Sequence, residues 1–163
     1  MAAKPLVGVI GVADANENER QMAFEVGKLI GAMGLDLVCG GLGGVMEEAS
    51  RGCQQAGGTV IGLLPGGHKE QANDYVTFAI PTNLGHSRNM LIAHSADLLI
   101  AIGTGYGTLS EVAIALKLGK RVLSFRSWDV QGVQTCQNLI EIQTALGEFF
   151  GDVATKSLLF QEN

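Results

Sequence analysis

Short apolar runs alternate with longer amphipathic stretches along most of this chain. Leu6–Gly11 has the length and apolar density of a first strand. Glu17–Met33 follows, with Met22, Phe24, Val26, Leu29, Ile30 and Met33 near a helical period, and Gly34 supplies a stop. Leu35–Cys39 reads as a second strand and Val45–Ala56 as a helix ended by Gly57 and Gly58. Thr59–Leu64 reads as a third strand, closed by Pro65, Gly66 and Gly67. His68–Asp74 is polar and reads as a loop, Tyr75–Ile80 as a strand ended by Pro81, and Gly85–Ser95 as helical. Asp97–Ile102 is almost continuously apolar, as a strand covered on both faces is. Thr108–Leu118 reads as a helix stopped by Gly119, Arg121–Phe125 as a strand, and a last helix falls within Val133–Phe150. The stretch from Gly151 to Asn163 reads as a loosely ordered tail.

Strands that alternate with helices imply right-handed βαβ units. The expected fold class is therefore α/β: a doubly wound, mostly parallel sheet with helices on both faces, Rossmann-like, in one domain over residues 1–163. The length of 163 residues suits one sizeable core, and no linker or internal repeat divides it.

Composition narrows the function. Hydrophobic residues make up 47% and charged residues 17%, which excludes a disordered chain and leaves room for an apolar interface between copies. The net charge of −5 argues against a basic surface for nucleic acid or anionic membrane. The start, MAAKPLVGVIGV, reads as a strand and not as a signal peptide, and no apolar stretch is long enough to span a bilayer, so a cytoplasmic location is expected. Cys39, Cys53 and Cys136 are scattered without a CxxC, and His68, His86 and His94 form no ligand pattern. No protein-held metal is expected.

Three constellations carry candidate chemistry. The first is Cys39-Gly40-Gly41-Leu42-Gly43-Gly44-Val45-Met46-Glu47, a loop that follows a strand and opens a helix. Glycines there let backbone amides approach a phosphate, and the helix start adds free N–H groups. A plain strand-to-helix turn with positive φ angles explains the same residues equally well. The second is Gly103-Thr104-Gly105-Tyr106-Gly107-Thr108, with Glu111 three residues beyond Thr108. Thr108 as helix N-cap with Glu111 as its capping-box partner is the structural reading. A phosphate cradle of amides, hydroxyls and a helix start is the functional one, and it also accounts for the alternate glycines. The third is Gly85-His86-Ser87-Arg88-Asn89, where Arg88 opens an apolar helix. A surface Arg near a helix start is the structural reading, although that end does not favour a cation; a guanidinium that grips a phosphate or ribose oxygens is the functional one.

In this order the three elements resemble the lonely-guy superfamily, over about Leu6 to Phe125. That resemblance implies a Rossmann-like fold and a nucleoside 5′-monophosphate phosphoribohydrolase, with Glu111 and Arg88 as catalytic residues and hydrolysis, not decarboxylation, as the reaction. The superfamily's loop reads PGGxGTxxE after an Arg-Lys pair. Here Ile102 replaces the Pro, Thr104 a glycine, and Asn89 the Lys. The short chain and the GYGTLSE wording are more similar to the molybdenum cofactor carrier branch. That branch implies a homo-oligomeric carrier, dimer or tetramer, that holds the pterin cofactor by its phosphate and hands it to a molybdoenzyme. The residues it implies are Gly40, Gly41, Gly43, Gly44, Arg88, Gly103, Thr104, Gly105, Tyr106, Gly107, Thr108 and Glu111. A third reading, another nucleotide-binding domain on the same fold, stays open, because fold does not fix function.

Overall fold

The computed structural model describes residues 3–151. The tail at 152–163 lies outside them. Strand β1 (Leu6–Gly11) leads to helix α1 (Glu17–Ala32), β2 (Asp36–Cys39), α2 (Val45–Gln55), β3 (Val60–Leu64) and β4 (Phe78–Pro81). Then come α3 (Arg88–Ser95), β5 (Leu98–Ile102), α4 (Tyr106–Lys117), β6 (Arg121–Phe125), β7 (Gln134–Thr135) and α5 (Leu139–Phe150). The strands form one sheet in the order β4-β3-β2-β1-β5-β6-β7, and every pairing is parallel. The chain winds outward from β1 in one direction, then returns to add β5 on β1's other side. The crevice beyond the carboxyl ends of β1 and β5 is thus the switch point at which such sheets bind ligands.

Alternation within the strands builds two cores. Val7, Val9, Leu98, Ile100 and Ile102 point to one face, where Ala23, Val26 and Ile30 of α1, Ala49 of α2 and Ile142 of α5 cover them. Ile10, Leu99 and Ala101 point to the other, covered by Ile92 and Ala93 of α3 and Val112 and Ala115 of α4. All five residues of β5 are buried, which its unbroken apolar sequence anticipates.

Most boundaries expected from periodicity fall within a few residues of those observed, and three differ for definite reasons. The expected helix over Val133–Phe150 divides into β7 and α5, because the Asn138 side chain accepts from the Glu141 amide at 3.0 Å and starts the helix there. Pro81 lies inside β4 as its last residue, not after it. It is tolerated because β4 is an edge strand, where a missing N–H costs no ladder bond. Helix α4 begins at Tyr106, two residues before the expected Thr108. A capping box does occur, but at Asn16 and Glu19 at the start of α1. Among the described residues no helix is long and apolar enough to cross a membrane.

Candidate functional site

The switch point holds a cleft of about 290 Å3. Gly11, Val12 and Ala13 at the end of β1 form one wall, Gly40, Leu42 and Met46 a second, and Gly105, Gly107, Thr108 and Glu111 a third. His86, Arg88 and Asn89 close the floor beside Ile10. Three segments distant in sequence meet here because β2, β1 and β5 lie side by side and all end at this edge.

Arg88 is the anchor of the floor. Its side chain is buried, and Nη1 donates to the carbonyls of Gly40 and Leu63, each at 2.7 Å. The guanidinium therefore ties the ends of β2 and β3 to the start of α3. Nε is buried with no partner, and Nη2 makes no hydrogen bond among the described residues. Burial pulls the guanidinium's pKa down, and the neighbouring Glu111 opposes that. The one other reason for Arg88's seat lies in Gly40: a Cβ there would collide with Nη1 of Arg88 and crowd the Met46 sulfur. Gly40 serves the site by making room for a cation.

Glu111 is 7% exposed, projects from the first turns of α4, and accepts no hydrogen bond from the described residues. Desolvation raises its pKa from 4.5 to about 8, and the pull of Arg88 only partly offsets this. No ion pair within 4.0 Å joins the two side chains among the described residues. Burial thus favours the protonated form of Glu111, which can donate a hydrogen bond.

The structural reading of this loop, in which Thr108 caps α4 with Glu111 as its capping-box partner, does not hold. Gly105 is the N-cap, with extended backbone and no side-chain cap bond, and the amide of Leu109 closes the first turn onto its carbonyl at 2.9 Å. Thr108 lies inside the helix, 3% exposed, on the cleft wall. An α-helix leaves its first amides without intrahelical partners. Those of Gly107 and Thr108, which line the cleft, are thus groups that the start of α4 can offer there.

The two glycine loops differ in what they supply. Gly40 lines the cleft, whereas Gly41, Gly43 and Gly44 do not. Gly44 has φ +65°, and a Cβ there would strike the carbonyls of Val12 and Ala13, so it lets α2 approach the end of β1. The Val45 amide is already bonded to the Val12 carbonyl at 3.0 Å, and Glu47 and Glu48 stand in the first turn of α2. Those two carboxylates oppose an anion at that helix start. In the second loop Gly105, Gly107 and Thr108 line the cleft, and Gly103, Thr104 and Tyr106 stand outside its lining. Gly103 accepts from Ser127 Oγ at 2.7 Å, Thr104 is exposed, and Tyr106 is 83% exposed at the rim.

Sequence reasoning passed over Val12 and Ala13, and it gave Met46 and Asn89 no role of their own within the motifs that contain them. Asn89 Nδ2 donates to Ser110 Oγ at 3.2 Å, and Ser110 Oγ donates to the Gly107 carbonyl at 2.6 Å, so Asn89 braces the first turn of α4. Its place beside Arg88 was a usable signal. Val12 and Ala13 carry none, since small apolar residues after a strand are ordinary.

Residues 4–149 match the SLOG cluster4 family. The chain belongs to that family. The resemblance to the lonely-guy superfamily read from the motifs is borne out. Two solved structures lie near this SLOG cluster4 chain. The molybdenum cofactor binding protein from the phototrophic bacterium Rippkaea orientalis is 34% identical, with a TM-score of 0.87 over 92% of this chain and 99% of that one. The molybdenum cofactor carrier protein from Chlamydomonas reinhardtii is 37% identical, with a TM-score of 0.81 over 91% of this chain and 99% of that one. A probable cytokinin riboside 5′-monophosphate phosphoribohydrolase from Oryza sativa subsp. japonica is 36% identical over 96 residues. That match covers 57% of the SLOG cluster4 chain and 42% of the rice protein, so this chain spans less than half of the rice protein's length. Among the described residues no group of three or more His, Cys, Asp or Glu side chains is placed to hold a metal ion.

Proposed function

We propose that the protein binds a phosphate-bearing small molecule in this cleft and acts as a carrier of molybdenum cofactor. The observation that carries the reading is the uncapped start of α4, whose amides meet a buried cation and a proton-bearing carboxyl across one small cleft. A phosphate oxygen accepts from amides at a helix start and from a guanidinium. A carboxylate beside it would repel; a neutral Glu111 instead donates a hydrogen bond. The volume of about 290 Å3 stands at the small end for ligand sites, which suits a phosphate and its attached chain with a larger ring system at the open mouth. The cofactor would bring the donor atoms for its own metal, so the chain needs only to hold the organic part.

The same reading makes the carrier a cytoplasmic homo-oligomer, dimer or tetramer, with a molybdoenzyme as recipient. Phe78 and Ile80 on the edge strand β4, with Leu84 after it, form an exposed apolar strip in keeping with contact between copies. The test is to load the purified protein with molybdenum cofactor and measure bound molybdenum and pterin together. One equivalent of each per chain, lost in Gly107→Val, is the expected outcome. Molybdenum that stays behind in Gly107→Val counts against this cleft.

A second reading is hydrolysis of a nucleoside 5′-monophosphate, and Glu111 is the observation that favours it. Cleavage of an N-glycosidic bond needs a proton for the departing base and develops charge on the sugar, as in glycoside hydrolysis. Glu111, neutral near pH 7, would supply that proton, and Arg88 would hold the phosphate end. Release of free base from nucleoside monophosphates, abolished in Glu111→Gln, decides for this reading; its absence leaves the carrier.

A further inference from the structure

Tyr106 stands at the rim between Gly105 and Gly107, which both line the cleft, yet it is 83% exposed. It is not loose. Its ring lies against Trp128 with centroids 5.6 Å apart and planes inclined by 32°. Trp128 is the only tryptophan of the chain, and its Nε1 donates to the Gly105 carbonyl at 2.9 Å. Next to it Ser127 Oγ donates to the Gly103 carbonyl at 2.7 Å. Two side chains of the segment after β6 therefore grip the loop that opens α4. Arg126, at φ +48°, makes the sharp turn that brings them there, and Val130 and Val133 pin the far side of the segment to the core. A non-glycine residue in that conformation costs about 1 kcal/mol or more, so the turn is held by its surroundings.

The result is an exposed aromatic face at the rim of the cleft, with Trp128 against it. One face of Tyr106 is supported by Trp128, and the ring is otherwise bare to water. We propose that Tyr106, backed by Trp128, is the stacking platform that selects a planar fused-ring heteroaromatic group in the ligand. This rests on the phosphate-binding reading, since a phosphate on the first amides of α4 brings the rest of the ligand past Tyr106. Aromatic side chains hold such rings by stacking with little regard to their hydrogen-bonding edges. Trp128 acts as a positioning residue: it fixes the plate and the Gly105 carbonyl without needing to touch the ligand.

Trp128 fluorescence is the readout, with GMP, guanosine and ribose 5-phosphate as probes. GMP is expected to bind and to change the emission. Ribose 5-phosphate is expected to compete with GMP while leaving the emission unchanged. Tyr106→Ala should weaken GMP about tenfold and leave ribose 5-phosphate unchanged, and Tyr106→Phe should restore GMP binding. Trp128→Phe, followed by calorimetry, should weaken GMP less than Tyr106→Ala does. GMP affinity unchanged in Tyr106→Ala, or equal losses for GMP and ribose 5-phosphate, would overturn the platform and leave the phosphate site standing. Guanosine bound as tightly as GMP, and lost in Tyr106→Ala, would keep the platform and overturn the phosphate reading. Failure of all three probes to bind at millimolar concentration would overturn both.

Discussion

The glycine loops at 40–44 and 103–107 have similar local sequences, each following a buried strand and opening a helix, and they do different work. In the first, Gly44 lets α2 approach the end of β1 and Gly40 leaves space for the Arg88 guanidinium. Its first helical amide, that of Val45, is already bonded, and its first turn carries acidic side chains. In the second, the helix start is uncapped and open to the cleft, and a Cβ at Gly107 would meet only ordinary contact with Asn89 Nδ2. A glycine in a strand-to-helix loop thus reports only that no Cβ fits or that one would hinder something. Whether that something is the protein's own backbone or a ligand is decided by what lies across from it.

Substitutions separate the two loops most sharply. Gly44→Ala combines a positive φ with a collision against two backbone carbonyls, and should destabilise by on the order of 5 kcal/mol in urea unfolding, or prevent folding. If Gly44→Ala folds with normal stability, the packing role of the first loop is wrong.

Glu111 tests the second loop through pH. Its pKa is raised in the folded protein, so the folded state holds the proton more tightly than the unfolded one. Stability is then greatest below the unfolded value near 4.5 and declines as pH rises through about 8, by on the order of 4 kcal/mol at most. Glu111→Gln should lose this slope and be the more stable protein at pH 8. Parallel pH profiles for the two proteins, by denaturant titration, would show that the carboxyl is not desolvated.

Arg88 joins the loops, since the Gly40 carbonyl holds it and it faces the wall formed by α4. Arg88→Met removes two charge-assisted bonds while relieving a buried cation, a net loss of about 2 kcal/mol. Binding of inorganic phosphate, followed by calorimetry, should fall with it, and Arg88→Lys should not restore it, because one ammonium cannot reproduce the fork. Smallest in stability is Gly107→Ala. The nearest atom to a Cβ there is Asn89 Nδ2 at 3.7 Å, and alanine is the better helix former, so the change should stay within about 1 kcal/mol. Its effect belongs to ligand affinity alone, which is the mirror image of Gly44→Ala.

Much of this was legible in the chain. The unbroken apolar run of β5 announced a strand buried on both faces, and β1 and β6 were bounded to the residue. Arg88 and the alternate glycines around Gly105 and Gly107 could be singled out because they sit awkwardly for a purely local purpose, and Thr108 and Glu111 came with that loop although a capping box offered them a local one. Other features were hidden because their causes are not local. The start of α4 at Tyr106 depends on Gly105, whose carbonyl receives the Trp128 side chain from the far side of β6. The role of Asn89 depends on Ser110 lying opposite it on another helix.

The sequence by itself determined the alternation of strands and helices, the α/β class and the set of residues able to carry chemistry, because periodicity and backbone preference act over a few neighbours. Only the tertiary structure decided which of them meet. The order β4-β3-β2-β1-β5-β6-β7 put the ends of β1, β2 and β5 side by side, sank Arg88 onto two carbonyls and removed water from Glu111. Desolvation and charge depend on distances through space, and no local pattern in the chain records them.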